Sequence, residues 1–328
     1  VTRRGRVLVI AAVASILAVL APAVALLVQH GSGDRAAASV KEPSVPREEP
    51  AAPGGRFAAA TPGTAAGATL PGGRTSVFGA GRFLVAYYGT AGSGALGVLG
   101  KTSPARMQRQ LARAGRAFAR PGRPVQLVYE LIVSIADRRP GKDGDYSHDL
   151  ARRQVLPYVR AAHRNNALLL LDIQTGRSDF LSVARRWAWA LQDPWVGLAL
   201  DPEWRMAPGA VPGQVIGHVR AGEVNRVSAW LAGLVARRHL PEKLLVLHQF
   251  RAAMIEHVDR VRHRPGLALV QHVDGFGTPR QKKATFHAVA RPRHFVLGFK
   301  LFYQADVRRM SARQVLRLRP KVRFVSYQ

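Results

Sequence analysis

The chain contains no cysteine. Disulfides, thiolate metal sites, cysteine nucleophiles and lipid-modified cysteines are excluded together. Acidic residues are scarce as well: 20 Asp and Glu stand against 49 Lys and Arg, a formal net charge of +29. With so few carboxyls, any place where several meet carries weight. Lysine is rarer than arginine, and the basic residues are scattered along the chain instead of clustered. A nucleic-acid footprint gathers its charge on one face or stripe, so nucleic acid is not an expected partner. An anionic wall polymer is compatible with charge alone, through a salt-sensitive association. A phosphate loop is also missing. The glycine-rich stretch 89–100 runs up to Gly100-Lys101-Thr102, but Ala95 stands where that motif needs its first glycine.

One long hydrophobic run is present, Val7 to Val28, and it follows Arg3, Arg4 and Arg6. A cationic flank before an apolar run is the pattern of an export signal, and about 20 apolar residues can span a bilayer. Residues 1–30 are therefore expected to be a signal peptide or an uncleaved signal anchor. Ala21-Pro22-Ala23 and Ala23-Val24-Ala25 offer small residues for cleavage. Either outcome places the remainder on the extracellular face of the cytoplasmic membrane or secretes it. Residues 31–76, rich in Gly, Ala and Pro, read as a flexible linker. Residues 77–328 are left for the folded domain.

Within that domain eight short apolar runs recur: 83–89, 125–130, 167–174, 195–204, 244–250, 267–277, 294–303 and 322–328. Stretches able to hold helices separate them. Eight βα units predict an α/β fold of the (β/α)8 TIM-barrel type, which needs roughly 250 residues and carries its chemistry at the C-terminal strand ends. Helices are expected at about 103–120, 147–165 and 221–239. Another starts near Asp179, with Leu181, Ala184, Trp187 and Leu191 on one face, and shorter ones follow strands five to seven. No helix follows strand eight, so the final helix is missing. Either another segment covers that side or the barrel is partly open.

Nearly every run ends in a polar residue: Tyr88, Glu130, Asp172, Asp201 with Glu203, His248, Asp274, Lys300 and Tyr327. Side chains two apart on a strand share a face. Asp201 pairs in this way with Glu203, Asp172 with Gln174, and His272 with Asp274. Two carboxyls brought together in a partly dry cleft cannot both ionise freely. One stays protonated beside an ionised partner, the division of labour that glycoside hydrolysis needs. Glu203, Asp201, Asp172, Glu130 and Asp274 are the candidate catalytic residues. Tyr88, Trp204, His248, Gln249, His272, Lys300, Tyr303 and Tyr327 are candidates for substrate binding or support. No His-x-His or His-Glu-x-x-His spacing occurs, so no metal and no other cofactor is expected, although His248 and His272 with the aspartates are possible ligands.

Asp201-Pro202-Glu203 resembles the strand-four Asp-x-Glu of chitinase-like and lysozyme-like glycoside hydrolase barrels. The resemblance implies Glu203 as general acid and Asp201 as its helper. Chitinase-type sites have further aspartates upstream, where Gly197 and Ala199 stand here. The lysozyme-like group has one at the end of strand one, where Tyr87 and Tyr88 stand. A second likeness covers most of 83–328, from Tyr87-Tyr88-Gly89 through LALDPEWR, LVLHQF and HVDGFG to the final Tyr-Gln. It is similar to an actinobacterial group of secreted or lipoprotein-like proteins of unestablished activity. The expectation that results is a membrane-tethered or secreted hydrolase of an envelope or extracellular polysaccharide. The alternative is a non-catalytic protein that binds a glycan or anionic polymer on the same barrel.

Overall fold

A computed structural model of the protein describes residues 67–328. The expected signal segment, and the expected linker as far as residue 66, lie outside the described residues. Eight parallel strands close into a barrel: β1 (Phe83–Thr90), β2 (Val125–Ala136), β3 (Leu168–Ile173), β4 (Val196–Leu200), β5 (Lys243–Gln249), β6 (Leu267–Val273), β7 (Val296–Leu301) and β8 (Val322–Tyr327). Each pairs with its successor, and β8 returns to β1 through Leu84↔Phe324 and Tyr87↔Tyr327. The cylinder is closed by backbone hydrogen bonds and leaves no open edge.

Strand parity builds two apolar layers. Inside the barrel lie Leu84, Ala86, Val128, Leu170, Val246 and Phe324. The alternate residues, such as Val85, Tyr129, Leu171, Leu247 and Val325, face outward into the larger cluster beneath the helices. Both faces of each strand are buried, which is why the runs read as nearly continuous Leu and Val. The interior layer is sealed below by Leu70 and Val77, both almost fully buried. Residues 70–76, which composition places in the linker, therefore take part in the fold. Glu242 holds them: it accepts from the Val77 amide at 2.7 Å and from Ser76 Oγ at 3.0 Å.

The helical layer is α1 (Pro104–Arg116), α2 (Arg152–Arg164), α3 (Phe180–Arg186), α4 (Ala188–Leu191), α5 (Ala221–Arg237), α6 (Pro279–Val289) and α7 (Ala312–Leu316). Three expectations change. Residues 147–149 form a short strand antiparallel to the end of β2 instead of the first turn of α2. The helix expected through Trp187 breaks there into α3 and α4, because the indole turns inward and donates from Nε1 to Ser134 Oγ at 2.9 Å. No α-helix follows β5. The segment runs through 3-10 turns at Ala252–Met254 and Val258–Arg260, and Ile255–Glu256 pairs with Val219–Arg220. Asn225 of α5 fixes that path, donating to the Arg260 carbonyl and accepting from the Arg262 amide. Tertiary bonds thus override what helical tendency the segment has. Where an eighth helix would lie, the outer faces of β1 and β8 are covered by aromatic packing among Tyr87, Tyr327, Tyr303 and Phe118.

Candidate functional site

The inward parity that places Leu84, Val128, Leu170 and Val246 in the core carries on to the C-terminal strand ends. There it projects Tyr88, Glu130, Asp172 and His248 into the barrel, with Asp201 and Asp274 just past the ends of β4 and β6. Ser326 of β8 and Lys300 of β7 complete the ring. All of these are buried, and Glu130, Asp172 and His248 have no solvent exposure at all. This arrangement is common to the C-terminal face of (β/α)8 barrels.

His248 is the hub. Its Nε2 lies 3.1 Å from Glu130 Oε1 and 3.1 Å from Asp172 Oδ2, and its Nδ1 lies 3.1 Å from Asp274 Oδ2. Lys300 Nζ stands 3.3 Å from the same Asp274 oxygen and 3.7 Å above the Tyr88 ring, a cation–π contact in a dry setting. The Tyr88 hydroxyl accepts from Gln174 Nε2 at 3.3 Å. His272 packs its ring 5.2 Å from that of His248 and meets Ser326 Oγ through Nε2 at 3.3 Å. Gly298 makes room for that ring. A Cβ there would fall 2.3 Å from His272 Cδ2, closer than carbon atoms can approach.

Too few cations face too many acids, and the protonation states follow. Burial raises Asp201, and Asp172 raises it further, to about 7. Glu203 is pushed up to about 8, by burial first and then by Asp201 and Asp274. Asp172 is also raised, chiefly by burial. Asp274 goes the other way. Burial opposes its ionisation, but Lys300 and then His248 outweigh that and hold it well below the ordinary carboxylate range. Burial and Lys300 disfavour a charged His248, yet its bonds to Asp172, Asp274 and Glu130 prevail and raise it. Burial, His248 and Lys300 keep His272 neutral.

Glu203 reaches this group by a different route from the one its spacing suggests. β4 ends at Leu200, and Pro202–Trp204 form a 3-10 turn, so the two-residue alternation does not extend to Glu203. The turn instead lays Glu203 over the mouth. Its side chain is partly exposed although its carboxyl is crowded by protein atoms and feels Asp201, Asp274, Lys300 and His248. Trp204, on the same turn, is partly exposed.

Three expected binding residues lie outside this ring. Tyr327 and Tyr303 stack in the outer layer at 5.5 Å between ring centroids, and Tyr303 meets the Tyr87 hydroxyl at 3.2 Å. Tyr327 follows inward-facing Ser326, so parity turns it out. Gln249 follows His248 and is turned out for the same reason, where it accepts from Gln271 Nε2 and donates to the Arg251 carbonyl. Ser326 and Gln174 are ring members that the candidate set lacks. Counting alternate residues back from Gln328 along β8 would have found Ser326.

Two features bear on what the site can hold. Glu130, Asp172 and His248 each offer a ligand atom within 4.8 Å of the others, a grouping able to take a metal ion. A cavity of about 480 Å³ lies elsewhere, between the glycine-rich loop after β1 and α2, lined by Gly100, Lys101, Thr102 and Tyr158. It contains none of the acids. Among the described residues, no helix is long and apolar enough to cross a membrane. Compared with protein-family models and with curated proteins, the chain matches none.

Proposed function

We propose that this barrel is a hydrolase of the glycoside-hydrolase type that uses carboxyl acid/base chemistry on an envelope or extracellular polysaccharide. The observation that carries the reading is the pairing at the mouth. Glu203 is partly open to solvent and holds its proton to about pH 8, while neighbouring Asp274 is kept ionised by Lys300 and His248. A proton donor beside a fixed carboxylate is the division of labour that glycosidic cleavage requires. The likeness of Asp201-Pro202-Glu203 to the strand-four element of chitinase-like and lysozyme-like barrels supports the same roles.

Glu203 donates its proton to the leaving oxygen as the glycosidic bond breaks. Asp274 is the acceptor, acting on water or directly on the sugar carbon. Asp201, behind Glu203, restores the proton and keeps the Glu203 pKa high. Glu130 and Asp172 touch no substrate, because both are sealed beneath His248; they set the charge of the hub. The protein works outside the cytoplasmic membrane, carried there by the N-terminal apolar segment.

Glu203→Gln is expected to lower kcat about 10²- to 10⁴-fold, the usual share of a general acid, with glycan affinity and circular dichroism unchanged. The assay is release of reducing ends from peptidoglycan, chitin and α- and β-glucans. Turnover that survives the substitution removes Glu203 from the reaction. One observation favours a second reading, a glycan-binding barrel without turnover: the zero exposure of Glu130, Asp172 and His248 equally suits a sealed polar plug. Binding to a glycan with no reducing ends from any of these polymers would decide for it.

A further inference from the structure

We propose that Glu130, Asp172 and His248 bind one divalent first-row cation, of the Mn2+ or Zn2+ kind, inside the barrel beneath the mouth. The proposal is independent of whether the barrel cleaves glycans.

The argument begins with the imidazole. Asp274, fixed by Lys300, accepts from His248 Nδ1, which leaves Nε2 to face Glu130 Oε1 and Asp172 Oδ2, each at 3.1 Å. Two carboxylates and a ring nitrogen crowd one point, and a positive charge is required there. A single proton on Nε2 does not satisfy the arrangement. It bonds to Glu130 Oε1, and Asp172 is left with neither oxygen hydrogen-bonded despite zero exposure. Glu130 Oε2 and Asp201 Oδ1 are buried without partners as well. An unpartnered buried carboxylate is costly, and with Asp274 Oδ1 five such oxygens among the acids at these strand ends demand an explanation.

A metal ion satisfies all three groups at once. Cis ligands of an octahedron with bonds of about 2.0–2.2 Å lie about 2.8–3.1 Å apart, which matches the two Nε2–oxygen separations of 3.1 Å. The surroundings match too. A metal-bound histidine commonly donates its other ring nitrogen to a carboxylate that is itself held, the part taken here by Asp274 and Lys300. One imidazole with carboxylates selects a cation that accepts nitrogen, which favours Mn2+ or Zn2+ over Ca2+ or Mg2+. Asp201, just past the end of neighbouring β4 and with a buried unpartnered oxygen, offers a further ligand.

The test is metal retention by the full chain. Protein dialysed against a chelator is given excess Mn2+ or Zn2+, desalted, and its metal content measured by atomic emission. One ion per chain is expected. Glu130→Gln and Asp172→Asn should each reduce retention at least tenfold. Asp274→Asn should weaken binding about 10- to 100-fold, since it acts through the ring. His263→Asn, at a surface histidine, should change nothing. Wild-type protein that retains no metal overturns the proposal, as does retention undiminished in both Glu130→Gln and Asp172→Asn. Should those variants fail to fold by circular dichroism, electron spin-echo spectroscopy of the Mn2+-loaded wild type still decides. Coupling to one imidazole nitrogen supports the site, and no nitrogen coupling removes it. Glu203→Gln protein should bind the ion normally even if it has lost hydrolysis, so this proposal and the glycosidase reading fail separately.

Discussion

Single side chains set the pH behaviour of this protein. Asp201 and Glu203 keep their protons in the fold to about pH 7 and 8, whereas an unfolded chain releases them near pH 4. A raised carboxyl contributes stability that is complete below the unfolded pKa and disappears as pH climbs through the folded one. His248, also raised, acts in the same direction above its unfolded value of about 6.5. Asp274 has the opposite sign: its contribution is present above about pH 4 and is lost on acidification. The urea midpoint should therefore fall between about pH 4 and 8, and Glu203→Gln should flatten that slope. An equal slope in both proteins would show that Glu203 titrates normally. At this scale most of the site was legible. Eight of the inward or rim groups stand at the ends of apolar runs, but Gln249 was taken as a binding residue although parity turns it out beside His248. Tyr327 was misplaced because it was judged by its position at a strand end instead of by the alternation that puts Ser326 inside.

Elements depend on local signals only as far as tertiary contacts allow. Asp179 shows the local signal working: its Oδ1 accepts from the Leu181 and Ser182 amides at 3.0 and 3.1 Å and starts α3. Asp179→Ala should cost about 1 kcal/mol in chemical denaturation, the usual worth of an N-cap. The stretch after β5 shows the limit, since the bonds from Asn225 and the pairing of Ile255–Glu256 draw it away from a helix. Spacing alone misses the turn at Pro202–Trp204. Residue spacing reports which face a residue takes only while the strand lasts, and Pro202, with no N–H for the ladder, ends it before the alternation reaches Glu203. Gly298 is the element-scale link to the site. Gly298→Ala forces His272 or β7 to shift and is expected to destabilise by about 1–3 kcal/mol, as overpacking does. Unchanged stability would mean that the ring has another place to go.

At the scale of the molecule, one closed cylinder gathers acids that are far apart in sequence. Hydrogen bonds from β8 to β1 complete it, and Leu70 and Val77 fill its lower end. Leu70→Ala should cost about 2–5 kcal/mol in urea unfolding, within the range for buried leucine truncation. A change below 0.5 kcal/mol, the scale of surface substitutions, would show that the lower plug is dispensable. Composition alone marks residues 70–76 as linker. A Gly-Pro-rich stretch has few apolar groups, and whether one leucine among them finds a cavity depends on the barrel below which it passes.

The amino-acid sequence by itself determined the eight strands and the identity of the polar residues at the strand ends. Both follow from local alternation and composition. Tertiary structure alone decided that His248 is the common neighbour of Glu130, Asp172 and Asp274, that Glu203 stays at the mouth while Glu130, Asp172 and His248 are sealed, and which carboxyls keep their protons. Depth and charge balance are sums over residues distant in the chain, and no stretch of sequence contains those sums before the barrel closes.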